Sequence, residues 1–113
     1  MTYNQGEIYL ARLDPATGSE QAGTRPIVII SGDAFNTNDR LVIVAPLTTS
    51  LKGYFGSVLL APTAENGLTT DSEVMMSHVR SLSTVRLKKR LGKCTPAETT
   101  QMHYKLHLLL TTS

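Results

Sequence analysis

The sequence has little cysteine, no tryptophan, no long apolar run and almost no net charge. One cysteine, Cys94, among 113 residues excludes an intrachain disulfide and a metal cluster of several thiolates, which favours a reducing compartment. No apolar run approaches the ~20 residues that a membrane-spanning helix needs, and the first residues lack the basic start and apolar stretch of a secretory signal. A formal net charge of +2 is too small to indicate a nucleic-acid partner by itself. These absences predict one cytoplasmic domain, residues 1–113, with no membrane partner.

Short apolar runs separated by turn residues make up most of the chain. They predict strands at Glu7–Leu13, Pro26–Ile30, Leu41–Leu47, Ser57–Leu60 and Ser72–Met76, the last continuing, bent, through Val79. The polar residues 31–40 predict a connection with at most one turn of helix. Several short strands at this spacing are typical of a small barrel or sandwich.

The end of the chain has a different pattern. Thr95–Glu98 combines a helix N-cap, a proline at the first helical position and an acid three residues after the cap. Apolar residues then recur at helical spacing, at Met102, Leu106, Leu109 and Leu110. The pattern predicts an amphipathic helix over 96–111 that packs on the sheet. The basic segment before it, residues 86–93 (RLKKRLGK), is interpreted as a short turn or helix with a solvated face.

A rigid arginine stands at the end of the loop GSEQAGTRPIVIIS (18–31). Pro26 restricts Arg25 to an extended backbone, and the following apolar strand is a fixed platform. The next strand follows after a short connection, so the two should be antiparallel neighbours. If Ser31 pairs near Val42, Arg25 lies opposite Thr48, beside the hydroxyls of Thr48–Ser50. A guanidinium next to a hydroxyl suits a phosphate or a carboxylate, although the same residues also suit a solvated strand start and a simple turn.

The segments GEIYLARLDPATGSEQAGTRPIVIIS (6–31), VIVAPLTTS (42–50) and, more loosely, VRSLSTVRL (79–87) resemble the MazF/PemK family of bacterial toxins, the mRNA interferases of toxin–antitoxin pairs. The resemblance implies a mainly β fold, an SH3-like small barrel of the PemK/CcdB type with five to seven strands and a C-terminal α-helix. It implies a homodimer that cuts single-stranded RNA without a metal or other cofactor, and an acidic, MazE-like antitoxin whose tail occupies the RNA groove.

The family's site residues correspond to residues present in this sequence. The catalytic arginine and threonine correspond to Arg25 and Thr48, and the acid of the first loop to Glu20. Cleavage by the RNA's own 2′-hydroxyl needs a base, stabilisation of the phosphorane and an acid for the leaving oxygen. We assign stabilisation, and possible protonation of the leaving oxygen, to Arg25, and a hydrogen bond to a non-bridging oxygen to Thr48. Glu20 is either the base or the group that orients Arg25, and His78 is an alternative base.

Other polar residues at this rim are predicted to contact RNA. They are Ser19, Gln21, Thr49, Ser50, His78 and Arg80. The sequence departs from the family at His78, where glutamine is more common, and at Ser83, where aspartate is. Tyr54 and Phe55 either stack on a base or cap the core.

The remaining candidates indicate structural roles. His103 and His107 have a spacing that zinc ligands can adopt, but no third ligand is evident and we predict no metal. Cys94 has no evident activating neighbour. Two other functions remain open: a gyrase-poisoning toxin like CcdB, whose Trp-Gly-Ile ending this sequence lacks, and an RNA- or protein-binding barrel without activity.

Overall fold

A curved antiparallel sheet and one long helix form the structure. The computed structural model describes residues 2–13 and 23–113. Within these residues the seven strands are β1 (Glu7–Leu13), β2 (Gly23–Ile29), β3 (Leu41–Thr48), β4 (Val58–Leu60), β5 (Ser72–Val74), β6 (Arg80–Ser83) and β7 (Leu87–Lys93). The helices are α1 (Asp33–Asn36) and α2 (Pro96–Thr111), and single 3₁₀ turns cover Met76–His78 and Thr84–Arg86.

The strand order is β4-β5-β3-β2-β1-β7, and β6 also pairs with β3. Strand β3 changes partner along its length: residues 41–44 pair with β6 and residues 47–48 with β5. Pro46 lies at this change of partner, where a residue without an N–H is tolerated. The mainly β class, the small curled barrel and the C-terminal helix are thereby confirmed.

The predicted register of β2 against β3 is confirmed. Ile27 pairs with Pro46, Val28 with Ala45 and Ile29 with Val44. The same register, extended by two residues, sets Arg25 opposite Thr48. The connection between the strands contains the single helical turn α1, as expected.

The end of strand β2, Ile27–Ile29, and the following Ile30 are buried on both faces because the sheet has a hydrophobic cluster on each side. Val28 and Ile30 pack in a cluster that includes Met102 of α2. Ile27 and Ile29 pack on the opposite face with Tyr9 of β1. The continuous apolar run therefore has the double burial that the sequence predicts.

The basic segment 86–93 was wrongly predicted as a turn or helix. Residues Leu87–Lys93 form β7, which pairs with β1 through Tyr9 opposite Arg90 and Leu10 opposite Lys89. Helix propensity is a weak preference that tertiary pairing overrides. A second contact holds the strand, because Arg90 Nε donates to Glu7 Oε2 at 2.8 Å.

Several strand boundaries differ from the predicted ones, and one strand was missed. Strand β5 ends at Val74 because a 3₁₀ turn follows at Met76–His78, and β6 was not among the strands predicted from apolar runs. Strand β2 begins three residues earlier, at Gly23. Leu82 is the only apolar residue of β6, too weak a signal for a strand, and the pairing of β6 with β3 decides its conformation.

Helix α2 has the predicted bounds and N-terminus. Glu98 N donates to Thr95 Oγ1 and Thr95 N donates to Glu98 Oε1, the two bonds of a capping box. Met102 is fully buried, but Leu110 is 72% exposed, so Leu110 was wrongly placed on the packed face. It follows Leu109 by about 100° around the helix axis, which turns it away from the sheet. No helix in the described part of the chain is long and apolar enough to cross a membrane.

Candidate active site

A cleft of about 270 Å³ opens at the rim of the sheet where β2 begins and β3 ends. The residues that line it are Arg25, Pro26, Leu47, Thr48, Thr49 and Ser72. Arg25 and Thr48 are both half-buried. The sheet therefore brings together the guanidinium and the hydroxyl that the sequence singles out.

The local sequence explains how Arg25 is presented. The chain enters β2 through Gly23, whose φ of 97° lies in the left-handed region that favours glycine. Pro26 then holds Arg25 in an extended conformation, opposite Ala11 of β1, which is fully buried. Packing of the strand beneath it gives the arginine backbone a fixed position at the cleft.

Thr48 ends β3 and begins a tight turn. Ser50 N donates to Thr48 Oγ1 at 3.1 Å. This bond uses one acceptor position of the hydroxyl oxygen, whose own proton is a donor for an oxygen bound in the cleft. Thr49 lines the cleft, and Ser50 is exposed beside it.

A buried carboxylate lies next to Thr48 and was not found from the sequence. Glu73 of β5 is the cross-strand partner of Thr48 and has no exposed surface. Its oxygens accept hydrogen bonds from the backbone nitrogens of Lys52 (2.7 Å), Gly53 (3.1 Å) and Tyr54 (2.8 Å). Burial raises the pKa of Glu73, but hydrogen bonds from the Ser57 side chain and these three amides outweigh it and lower the pKa below its usual 4.5. A glutamate amid short strands carries no sequence signal for such a role, because its donors come from a separate loop.

We expect Glu73→Gln to lower the free energy of unfolding by about 2 kcal/mol at neutral pH, since hydrogen bonds to a charged group are lost. A carboxyl whose folded-state pKa lies below its unfolded value stabilises the fold above that unfolded value. This contribution disappears as pH falls below 4.5, so the difference between wild type and variant should shrink in acid. Urea unfolding at neutral and acidic pH measures both effects. Glu65→Gln, the same change at an exposed glutamate, is the control; an equal loss there, or a gap that persists in acid, would contradict the assignment.

The other predicted RNA contacts lie either outside the cleft or outside the described residues. His78 is exposed and does not line the cleft; its ring lies 5.4 Å from that of Tyr54, and its Nδ1 lies 3.0 Å from Ser77 Oγ. Arg80, opposite Val44 in β6, is also outside the cleft. Ser19, Glu20 and Gln21 lie outside the described residues.

The surroundings of the remaining candidate residues, Cys94 and His103, indicate structural roles. Burial, with a smaller contribution from Glu98, raises the pKa of the Cys94 thiol to about 12. His103 Nε2 lies 2.9 Å from the Ile30 carbonyl oxygen, which joins α2 to the end of β2. In the described ranges, no group of three or more His, Cys, Asp or Glu side chains could hold a metal ion.

Known proteins resemble this chain in both sequence and structure. Residues 4–110 match the family model of the PemK-like, MazF-like toxin of type II toxin–antitoxin systems. The chain is 39% identical over 112 residues to the endoribonuclease MazF9 of Mycobacterium tuberculosis, covering 92% of this chain and 94% of that protein. A crystal structure of MazF from Deinococcus radiodurans superposes with a TM-score of 0.80 at 28% identity, covering 97% of each chain. A MazE–MazF crystal structure from the same organism superposes with a TM-score of 0.78 at 27% identity, covering 100% of each chain.

Proposed function

The chain belongs to the PemK/MazF family of toxins of type II toxin–antitoxin systems, and we propose that it is an endoribonuclease whose cleft cuts single-stranded RNA with Arg25 and Thr48. The observation that carries this proposal is the position of these two side chains on neighbouring strands of one cleft. A guanidinium and a hydroxyl are the donors that a phosphodiester needs when charge builds on its oxygens. We take residues 1–113 as one toxin domain, which the family match over residues 4–110 supports.

The reaction is attack of a 2′-hydroxyl on the adjacent phosphorus, which breaks the bond to the 5′-oxygen. Its products are a 2′,3′-cyclic phosphate and a 5′-hydroxyl. Arg25 stabilises the negative charge of the phosphorane through its planar set of N–H donors, and we assign to it the proton that the leaving 5′-oxygen takes up. Thr48 donates its hydroxyl proton to a non-bridging oxygen, while Ser50 N holds its oxygen in place.

The base in this mechanism is not among the described cleft residues. The described side chains that line the cleft include no carboxylate and no imidazole. A guanidinium stays protonated and is a poor base. We assign proton abstraction from the 2′-hydroxyl, or orientation of Arg25, to Glu20, which lies outside the described residues. His78 becomes a less suitable base because it lies outside the cleft.

We extend the proposal to partners and location. The MazE–MazF crystal structure of Deinococcus radiodurans supports a cognate, MazE-like antitoxin as partner, and we propose that its tail occupies the RNA groove. We also propose a homodimer, which membership of the family supports, and a cytoplasmic location. Ser19, Gln21, Thr49, Ser50 and Arg80 remain proposed RNA contacts around the catalytic pair.

Incubation of the purified protein with a long single-stranded RNA in EDTA tests the function. We expect discrete cuts, mapped by primer extension, with 2′,3′-cyclic phosphate ends. A short RNA that spans one mapped cut, with a 2′-deoxynucleotide at the attacking position, should stay intact because its nucleophile is missing. Cleavage that needs a divalent cation, or cleavage of the deoxy-substituted RNA, would overturn the mechanism; no cleavage would overturn the activity.

A further inference from the structure

A row of cross-strand neighbours extends from the catalytic pair to the edge of the sheet. Thr48 of β3 is opposite Glu73 of β5, and Glu73 is opposite Leu59 of β4. Residues directly opposite one another in a sheet point to the same face. Leu59 is 67% exposed, whereas Glu73 on the same face is completely buried. Something other than the sheet must therefore cover Glu73.

The cover is the loop that follows β3. Its backbone nitrogens at Lys52, Gly53 and Tyr54 converge on the two oxygens of Glu73 at 2.7–3.1 Å. The same loop begins with Thr49, which lines the cleft. Glu73 therefore holds this loop, which continues the cleft wall from Thr49, against the strand that pairs with Thr48.

This attachment gives the Tyr54 ring a defined position. The ring lies 5.4 Å from the His78 ring at an interplanar angle of 53°, within the range of favourable aromatic pairs. Ser77 Oγ, 3.0 Å from His78 Nδ1, orients the imidazole. Tyr54 is half-buried and His78 is exposed, so part of this ring pair is accessible to a ligand.

Resting on the proposed function, we propose that the rings of Tyr54 and His78 form a stacking site for an unpaired RNA base next to the scissile phosphate, and that Glu73 is the residue that positions it. Flat aromatic side chains are the usual surface on which proteins stack single-stranded bases. Thr49, at the start of the loop that contains Tyr54, lines the cleft, so the loop connects the ring pair directly to the rim where Arg25 and Thr48 lie. Glu73 makes no contact with RNA in this arrangement and acts through the loop.

The test uses a short RNA that spans a mapped cut. We expect Tyr54→Leu to raise KM about tenfold, because stacking on an aromatic ring is lost, with kcat nearly unchanged. Tyr54→Phe keeps the ring and should restore KM to within about twofold of wild type. Ser57→Ala and Glu73→Gln weaken the attachment of the loop and should raise KM in the same direction. Tyr104→Leu, the same change at an exposed tyrosine of α2, should leave both constants unchanged.

Three outcomes would overturn the inference. They are a wild-type KM for Tyr54→Leu, a loss for Tyr54→Phe as large as for Tyr54→Leu, and a fall in kcat that matches the change in KM. Thermal unfolding of each variant separates loss of structure from loss of binding. If Glu73→Gln does not fold, the Tyr54 variants decide the stacking site and Ser57→Ala decides the attachment. Cleavage by wild type with wild-type behaviour of Tyr54→Leu would overturn this inference alone and leave the proposed function intact.

Discussion

Arg25→Ala is expected to lower kcat/KM for RNA cleavage by about 10³-fold, the upper range for loss of one preorganised donor to a developing oxyanion. Arg25 lines the cleft with Thr48 and is the only cationic side chain among its described lining residues. Its removal leaves the phosphorane without the charge that offsets its own. Initial rates on the short RNA that spans a mapped cut measure the effect.

Two further variants separate catalysis from charge. Arg25→Lys keeps the positive charge but not the planar set of donors, so it should recover only a small part of the rate. Arg12→Ala removes an exposed arginine from the adjacent strand β1, outside the cleft. It should change kcat/KM by no more than about threefold through long-range attraction to RNA. A loss for Arg12→Ala as large as for Arg25→Ala would show that net charge, and not the cleft, controls the rate.

Thr48→Val is expected to lower kcat/KM by about 10²-fold, because the side-chain shape is kept and the donor to the non-bridging oxygen is lost. The fall should appear in kcat, since the bond strengthens as charge develops in the transition state. Thr48→Ser retains the hydroxyl and should recover most of the rate. The measurement is steady-state kinetics on the same RNA.

The control for Thr48 is Thr69→Val, the same change at an exposed threonine that does not line the cleft. It should have wild-type kinetics. A wild-type kcat for Thr48→Val would remove Thr48 from the mechanism. A loss in Thr48→Val that Thr48→Ser does not recover would assign the effect to packing of the side chain.

The position of the proposed catalytic pair, Arg25 and Thr48, could be predicted from the sequence because its signals are local. Pro26 acts on the residue directly before it, and the short connection between β2 and β3 leaves an antiparallel pairing as the simplest arrangement. The observed pairing of Ile27 with Pro46, continued by two residues, sets Arg25 opposite Thr48, and this register needs no information from distant parts of the chain. The resemblance to the toxin family points to the same two residues.

Glu73 could not be found in this way. Its role depends on three backbone amides 19 to 21 residues away in the sequence, and backbone amides carry no residue identity for a sequence pattern to detect. The ring pair of Tyr54 and His78 likewise joins a loop to a 3₁₀ turn. Such contacts exist only after the sheet has brought separate segments together.

The sequence by itself determined the elements whose causes lie within a few residues: strand β1, the doubly buried β2 and the capped helix α2. Their signals are hydrophobic periodicity, proline geometry and a capping box, all of which act between residues close together in the sequence. The tertiary structure alone decided that Leu87–Lys93 is a strand. There, pairing with β1 and the bond from Arg90 to Glu7, 83 residues away, overrode local preference. It also decided the wall of the cleft beyond Thr48, because a buried carboxylate takes its donors from whichever backbone the fold brings within reach.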